Sequence, residues 1–168
     1  MSVDGTDFKI QEPSPFWKGW YSHKFKGPAV RYEVAICIAT GDIVWINGPY
    51  PAGFFSDLRI FRFVLKGLLY PWEMVEVDLG YRGEPLHCST KEHYRDEVQC
   101  IEKSTVRARH ETVNERFKNW NCLHDTFRHD VVKHKDVFRA VAAITQLVIQ
   151  TESPLFSIKA YTSFFQLE

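Results

Sequence analysis

The sequence predicts an α/β domain in which helices pack against a mixed sheet. Three observations carry this: strand-like runs fill the first half of the chain, two of them join as a hairpin, and helical periodicities dominate the second half. That order buries a sheet under helices. At 168 residues, with 45% hydrophobic and 15% aromatic residues, the chain suits a single globular domain and not a disordered one.

The elements follow in order. Residues 2–10, SVDGTDFKI, read as a short strand in which Asp4 and Asp7 sit among the strand formers Val3, Thr6, Phe8 and Ile10, and Pro13 and Pro15 then break it. GPAVRYEVAICIAT reads as a long, largely buried strand that turns at Thr40-Gly41-Asp42 into the strand IVWIN, giving a hairpin. GPYPAG, with two prolines and two glycines, reads as a loop. Ser56 is the expected N-cap of an amphipathic helix carrying Leu58, Phe61, Leu65, Leu68 and Leu69, with Asp57 in its first turn and Pro71 as its stop. MVEVDLGY predicts a strand that runs out at Gly80, and a short strand is expected over 86–89. Helix is expected from Lys91, firmly over 104–120, and again over about 131–150, where Val137, Ala140, Val141, Ile144, Leu147 and Val148 form the apolar face. Residues 1–150 thus make one domain and 151–168 an aromatic tail without an assigned place.

Charge and cysteines narrow the partners little. Lys plus Arg and Asp plus Glu are both 21, so net charge favours neither nucleic acid nor membrane, and a local basic groove stays open. Without an apolar run long enough to span a bilayer or a secretory leader pattern at Met1, the expectation is a soluble, intracellular protein. Cys37, Cys88, Cys100 and Cys122 are expected as unpaired thiols. His87, Cys88, His93 and Cys100 match none of the usual zinc spacings.

The 105–120 helix places Val106, His110, Val113, Phe117 and Trp120 on one stripe, expected in the core, with Arg107, Glu111, Glu115 and Lys118 on the outer face. The bland account of that face is a solvated row of ion pairs. Alternation in VEVD sets Glu76 and Asp78 opposite Val75 and Val77, with Asp78 at the strand's C-terminal end, where α/β sheets place ligand-handling residues. A turn Asp capping the next segment is the alternative. Together, Asp4, Asp78 and Glu111 would come from two strands and a helix. Gathered in a cleft they would repel one another unless a divalent cation lay between them, and hard oxygen ligands select Mg²⁺ or Mn²⁺. Asp7 falls on the face opposite Asp4 and is expected in solvent; His110 is expected in the core, and His124, His129 and His134 at the surface.

These motifs carry a resemblance. VDGTDFKI, the hairpin YSHKFKGPAVRYEVAICIATGDIVWINGPYPAG, SDLRIFR, VDLGY and ARHETVNERFKNW occur in the order seen in PIF/Harbinger-type DDE transposases, of the DDE superfamily endonuclease group, and the sequence resembles that family over most of residues 1–150. The resemblance implies an RNase H-like fold, with an antiparallel three-strand start extended by parallel strands. It implies Asp4, Asp78 and Glu111 as catalytic residues and metal ligands for Mg²⁺ or Mn²⁺, with Glu115 as the alternative to Glu111. It implies DNA as substrate, with Arg107, Arg109, Arg116 and Lys118 as candidate phosphate contacts, and a location in the nucleus or cytoplasm. Asp57 matches the family's first helix, which leaves it a role at the site's edge besides its helix-start role. Relatives usually carry a helix-turn-helix-like region before the first Asp, whereas Met1 here stands just ahead of Asp4, so a separate DNA-binding protein is a candidate partner. The expected function is a metal-dependent endonuclease or polynucleotidyl transferase. The alternatives are a catalytically inactive, domesticated DNA- or protein-binding module on the same fold, and an unrelated α/β domain.

Overall fold

The computed structural model describes residues 1–90 and 97–158. The expected helix start at Lys91 and His93 of the weighed zinc set lie outside the described residues.

The sheet runs β1 (Ser2–Lys9), β2 (Tyr21–Ser22), β3 (Gly27–Ile36), β4 (Ile43–Pro51), then β5 (Val75–Glu76) and β6 (Cys88–Ser89), with helix α1 (Asp57–Phe63) between β4 and β5. Three helices follow: α2 (Glu97–Lys118), α3 (Asn121–His124) and α4 (Val131–Thr151). β3 pairs antiparallel with β1, β2 and β4, while β1–β5 and β5–β6 are parallel. This six-stranded mixed sheet flanked by helices is the arrangement of an RNase H-like fold.

Period-two alternation divides the core. Phe8 and Ile10, with Val30, Tyr32, Val34 and Ile36, meet Val113 and Phe117 of α2 and Phe138, Val141 and Ile149 of α4. On the opposite face Val3, Ala35, Val75 and Val77 pack with Phe61, Leu65 and Tyr81. The α2 and α4 faces of the helices therefore look at one side of β1, and α1 looks at the other.

Several expectations are corrected. GPYP belongs to β4, whose register shifts against β3 between Arg31 and Glu33; β4 is an edge strand, where a proline's missing N–H leaves no ladder bond unmade. Ser56 does cap α1, accepting from the Arg59 N–H, but the α-helix gives way to a 3-10 turn over Leu65–Leu68. β5 ends at Glu76, two residues before Asp78. Trp120, expected on the buried stripe, lies beyond the end of α2 and is 41% exposed. α4 buries His134, Phe138, Val141, Ala142, Thr145 and Ile149, leaving Ile144 and Leu147 exposed. Apolar residues surround this helix, so packing decides its orientation: Phe138 stacks on Tyr32 at 4.0 Å, and the Tyr32 hydroxyl satisfies His134 Nδ1 at 2.8 Å. His134 is consequently a core residue. Beyond α4, Leu155 and Ile158 are buried, Ile158 against Ile38 and Val106.

Candidate active site

Asp4 lies in mid-β1 and points toward α2. Its Oδ2 accepts a 3.1 Å hydrogen bond from the Asn114 side-chain amide, and its Oδ1 accepts from the Gly5 N–H at 2.9 Å. Parallel pairing sets Ser2 beside Glu76, so two residues further on Asp4 and Asp78 stand at the same level of the sheet. Asp78 leaves β5 at its C-terminal end and caps the 3-10 turn Leu79–Tyr81, accepting from the Gly80 N–H at 2.7 Å. Burial, followed by the negative charges of Asp78 and Asp57, pushes the Asp4 carboxyl up to about 6. Asp4 on β1 and Asp78 just past the end of β5 thus already repel one another.

A third carboxylate reaches this place from the other side of the sheet. Asp57, in the first turn of α1, lies so close over β1 that a Cβ on Gly5 would fall 1.8 Å from its Oδ1. Only glycine admits that approach. Arg31 on β3 holds Asp57 at 3.4 Å while its Nε and Nη2 donate to Asp7 at 2.6 and 3.0 Å. Asp7 also accepts from Ser22 and is 3% exposed, so the expectation of a solvated Asp7 is corrected. It faces away from Asp4 as alternation requires, but into a buried ion pair. Burial, Asp7 and Asp78 raise the Asp57 carboxyl, and Arg31 opposes them.

α2 supplies the opposing wall. Arg107, Glu111, Asn114 and Lys118 recur at i, i+4, i+7 and i+11, which is one stripe. Asn114 touches Asp4, and the charges of Arg107 and Asp4 and of Lys118 and Asp4 interact. Glu111 lies on this stripe, but its side chain is 59% exposed and its carboxylate pairs with Arg107 Nε at 3.3 Å. Among the described residues no three His, Cys, Asp or Glu side chains stand together as a metal cage. The structure therefore brings Asp4 and Asp78 together, adds Asp57, and turns Glu111 toward Arg107.

The basic residues divide as well. Arg107 is exposed and Lys118 half-buried at the site. Arg109 is 3% exposed and donates to the Ile38 carbonyl at 2.6 Å, so it buttresses the chain after β3. Arg116 donates to the Ser153 carbonyl at 2.7 Å and clasps the segment after α4. His110 is buried as expected, with Nδ1 2.9 Å from the Ser2 hydroxyl.

A family model described as DDE superfamily endonuclease matches residues 3–147, which includes every one of these carboxylates. The chain belongs to the DDE superfamily endonucleases. No curated protein and no solved structure matches it. Within this endonuclease domain the residues that sequence reasoning left aside are Asn114 and Arg31. Asn114 had a signal in its i+7 spacing from Arg107; Arg31 had none, because its two carboxylate partners come from β1 and α1.

Proposed function

We propose that residues 1–150 form the catalytic domain of a PIF/Harbinger-type transposase, which cleaves and joins DNA phosphodiesters with divalent cations. The observation that carries this is the nearness of Asp4, within β1, to Asp78, just past the C-terminal end of the parallel strand β5, with Asp4 raised by burial and by its acidic neighbours. Such a carboxylate pair fits Mg²⁺ or Mn²⁺, which take one or two carboxylates and keep several waters. Asp4 and Asp78 would hold the ion, and Glu111 would complete the set on leaving Arg107, since it lies one helical turn from Asn114 on the same stripe. Bound there, the ions supply an activated water or 3′-hydroxyl and stabilise the leaving oxygen. Arg107, released from Glu111, and Lys118 bind backbone phosphates at the rim, whereas Arg109 and Arg116 serve the fold. DNA is the substrate, the nucleus its place, and a separate DNA-binding protein its guide.

A second reading has its own support. The Glu111–Arg107 pair and the lack of a three-ligand cage among the described residues suit a domesticated module that binds DNA or protein without cutting. Nicking of supercoiled plasmid separates the two. The nuclease reading expects Mg²⁺-dependent nicking that disappears in Asp78→Asn and Glu111→Gln while the melting temperature is kept. DNA retention without nicking in the unaltered chain, unchanged by both substitutions, favours the module.

A further inference from the structure

On the α1 side of β1 two buried oxygens have no hydrogen-bond partner among the described residues, Asp57 Oδ1 and the Tyr81 hydroxyl. Arg31 does not meet the need of Asp57. Its Nε and Nη2 donate to Asp7 and its Nη1 to the Phe55 carbonyl at 3.2 Å, so its 3.4 Å approach to Asp57 is an ion pair without a hydrogen bond. Helix capping does not occupy Asp57 either, because Ser56 caps α1 through its hydroxyl. Tyr81 is fully buried, edge-on against Phe61, and its hydroxyl stands in the field of Asp57 and then of Glu33, Asp4 and Asp78. A buried polar atom left unpaired is costly, so both oxygens call for a donor.

We propose that Asp57 is a positioning residue of the cation site, its carboxylate accepting a hydrogen bond from a water on the divalent ion held by Asp4 and Asp78. The inference deepens the nuclease reading and rests on it for the ion. β5 ends at Glu76 and pairs with β1 only at Ser2, so no strand continues beside Gly5 on that edge. Across the open edge the carboxylates converge although Asp4 and Asp57 approach β1 from opposite faces. The Gly5 N–H donates to Asp4 Oδ1, while a Cβ on Gly5 would stand 1.8 Å from Asp57 Oδ1. A Cβ on Gly80 would stand 2.9 Å from Asp78 Oδ1 and 3.6 Å from Asp57 Oδ2, so these two carboxylates flank one point. Mg²⁺ bound by one or two carboxylates keeps several waters, and each is a hydrogen-bond donor. Such a water gives Asp57 its missing partner without a third direct ligand. Groups that orient a metal's ligands from behind are worth about 10- to 100-fold in affinity.

The test is calorimetric titration of Mn²⁺ into the full chain, Asp57→Asn, Gly5→Ala and the double variant, each with its melting curve in metal-free buffer. Asp57→Asn removes the charge at nearly constant shape. Gly5→Ala displaces the carboxylate while every charge is kept, and Gly5 is not among the positive-φ glycines, so alanine fits its backbone. The expected result is a loss of about 10- to 100-fold in Mn²⁺ affinity in either variant, with melting temperatures close to that of the unaltered chain. The double variant is expected to bind no more weakly than the singles, because both remove one contact. Unchanged affinity in Asp57→Asn overturns the proposal. Full affinity in Gly5→Ala beside a weakened Asp57→Asn also overturns it, since that is a general effect of charge. Losses that only follow the loss of folded protein overturn it as well. These three outcomes leave the nuclease reading standing while Mg²⁺-dependent nicking persists. No Mn²⁺ binding in the unaltered chain overturns that reading and this inference together.

Discussion

Asn114 donates its side-chain amide to Asp4 Oδ2 across 3.1 Å, and this contact ties the C-terminal part of α2 to β1. It also fixes which stripe of α2 faces the carboxylates. Asn114 is nearly buried, and its Oδ1 has no partner of its own. Asn114→Asp places a fourth carboxylate beside Asp4, Asp57 and Asp78. It is expected to lower stability by about 1–3 kcal/mol in metal-free buffer. Because a cation relieves that repulsion, Mg²⁺ should raise the melting temperature of the variant more than that of the unaltered chain. Differential scanning calorimetry with and without Mg²⁺ reads both effects.

Arg31 braces Asp7 and Asp57 at once, the first at 2.6 Å and the second at 3.4 Å. Arg31→Met leaves Asp7 buried with only Ser22 as a donor among its side-chain partners. Breaking a buried pair from one side costs about 3–5 kcal/mol. The same change frees Asp57 to move from Gly5, so a loss of nicking larger than the loss of folded protein is expected. Urea unfolding beside the plasmid assay measures the two losses separately.

Glu33 on β3 is buried among Trp45, Asn47 and Asp57, and burial pushes its carboxyl up to about 7 despite a 2.9 Å hydrogen bond from Trp45 Nε1. The folded chain therefore binds this proton more tightly than the unfolded one. Its contribution to stability is full below pH 4.5 and is lost as the pH rises through 7. His110 and His134, held down to about 3 and about 4, work the other way: the folded chain binds fewer protons, so stability rises with pH toward 6.5. Glu33→Gln is expected to flatten the fall above pH 4.5 and to leave the His-dependent rise in place. Urea midpoints near pH 5 and about pH 8 check the sign.

The sequence made much of this architecture legible because its signals were local. Alternation placed Asp4 and Asp7 on opposite faces of β1, and the turn at Gly41 announced the β3–β4 hairpin. Asp78 was singled out by its place near a strand end and by the family resemblance, while the alternative read from the sequence, an Asp capping the next turn, is also the contact it makes. Asp57 was not resolved, because Ser56-Asp57 is also the ordinary start of a helix, and only the packing of α1 against Gly5 brings it to the carboxylates. Asp7 looked solvated because its partner Arg31 is distant in sequence and opposite it only in the β1–β3 register. His134 looked like a surface residue because a hydroxyl from β3, invisible to helical periodicity, makes its burial tolerable. Glu111 was placed on the outer face of the helix beside Arg107, and the i,i+4 contact that draws its side chain to Arg107 is the same one that any solvated helix would form.

The most direct measurement is calorimetric titration of Mn²⁺ into the full chain and into Asp4→Asn, Asp78→Asn and Glu111→Gln, each shown to be folded by its melting curve. The account predicts saturable binding in the unaltered chain, its near loss in Asp4→Asn and Asp78→Asn, and a weaker residual site in Glu111→Gln. Binding of equal strength in all four chains, or none in the unaltered one at millimolar Mn²⁺, contradicts it.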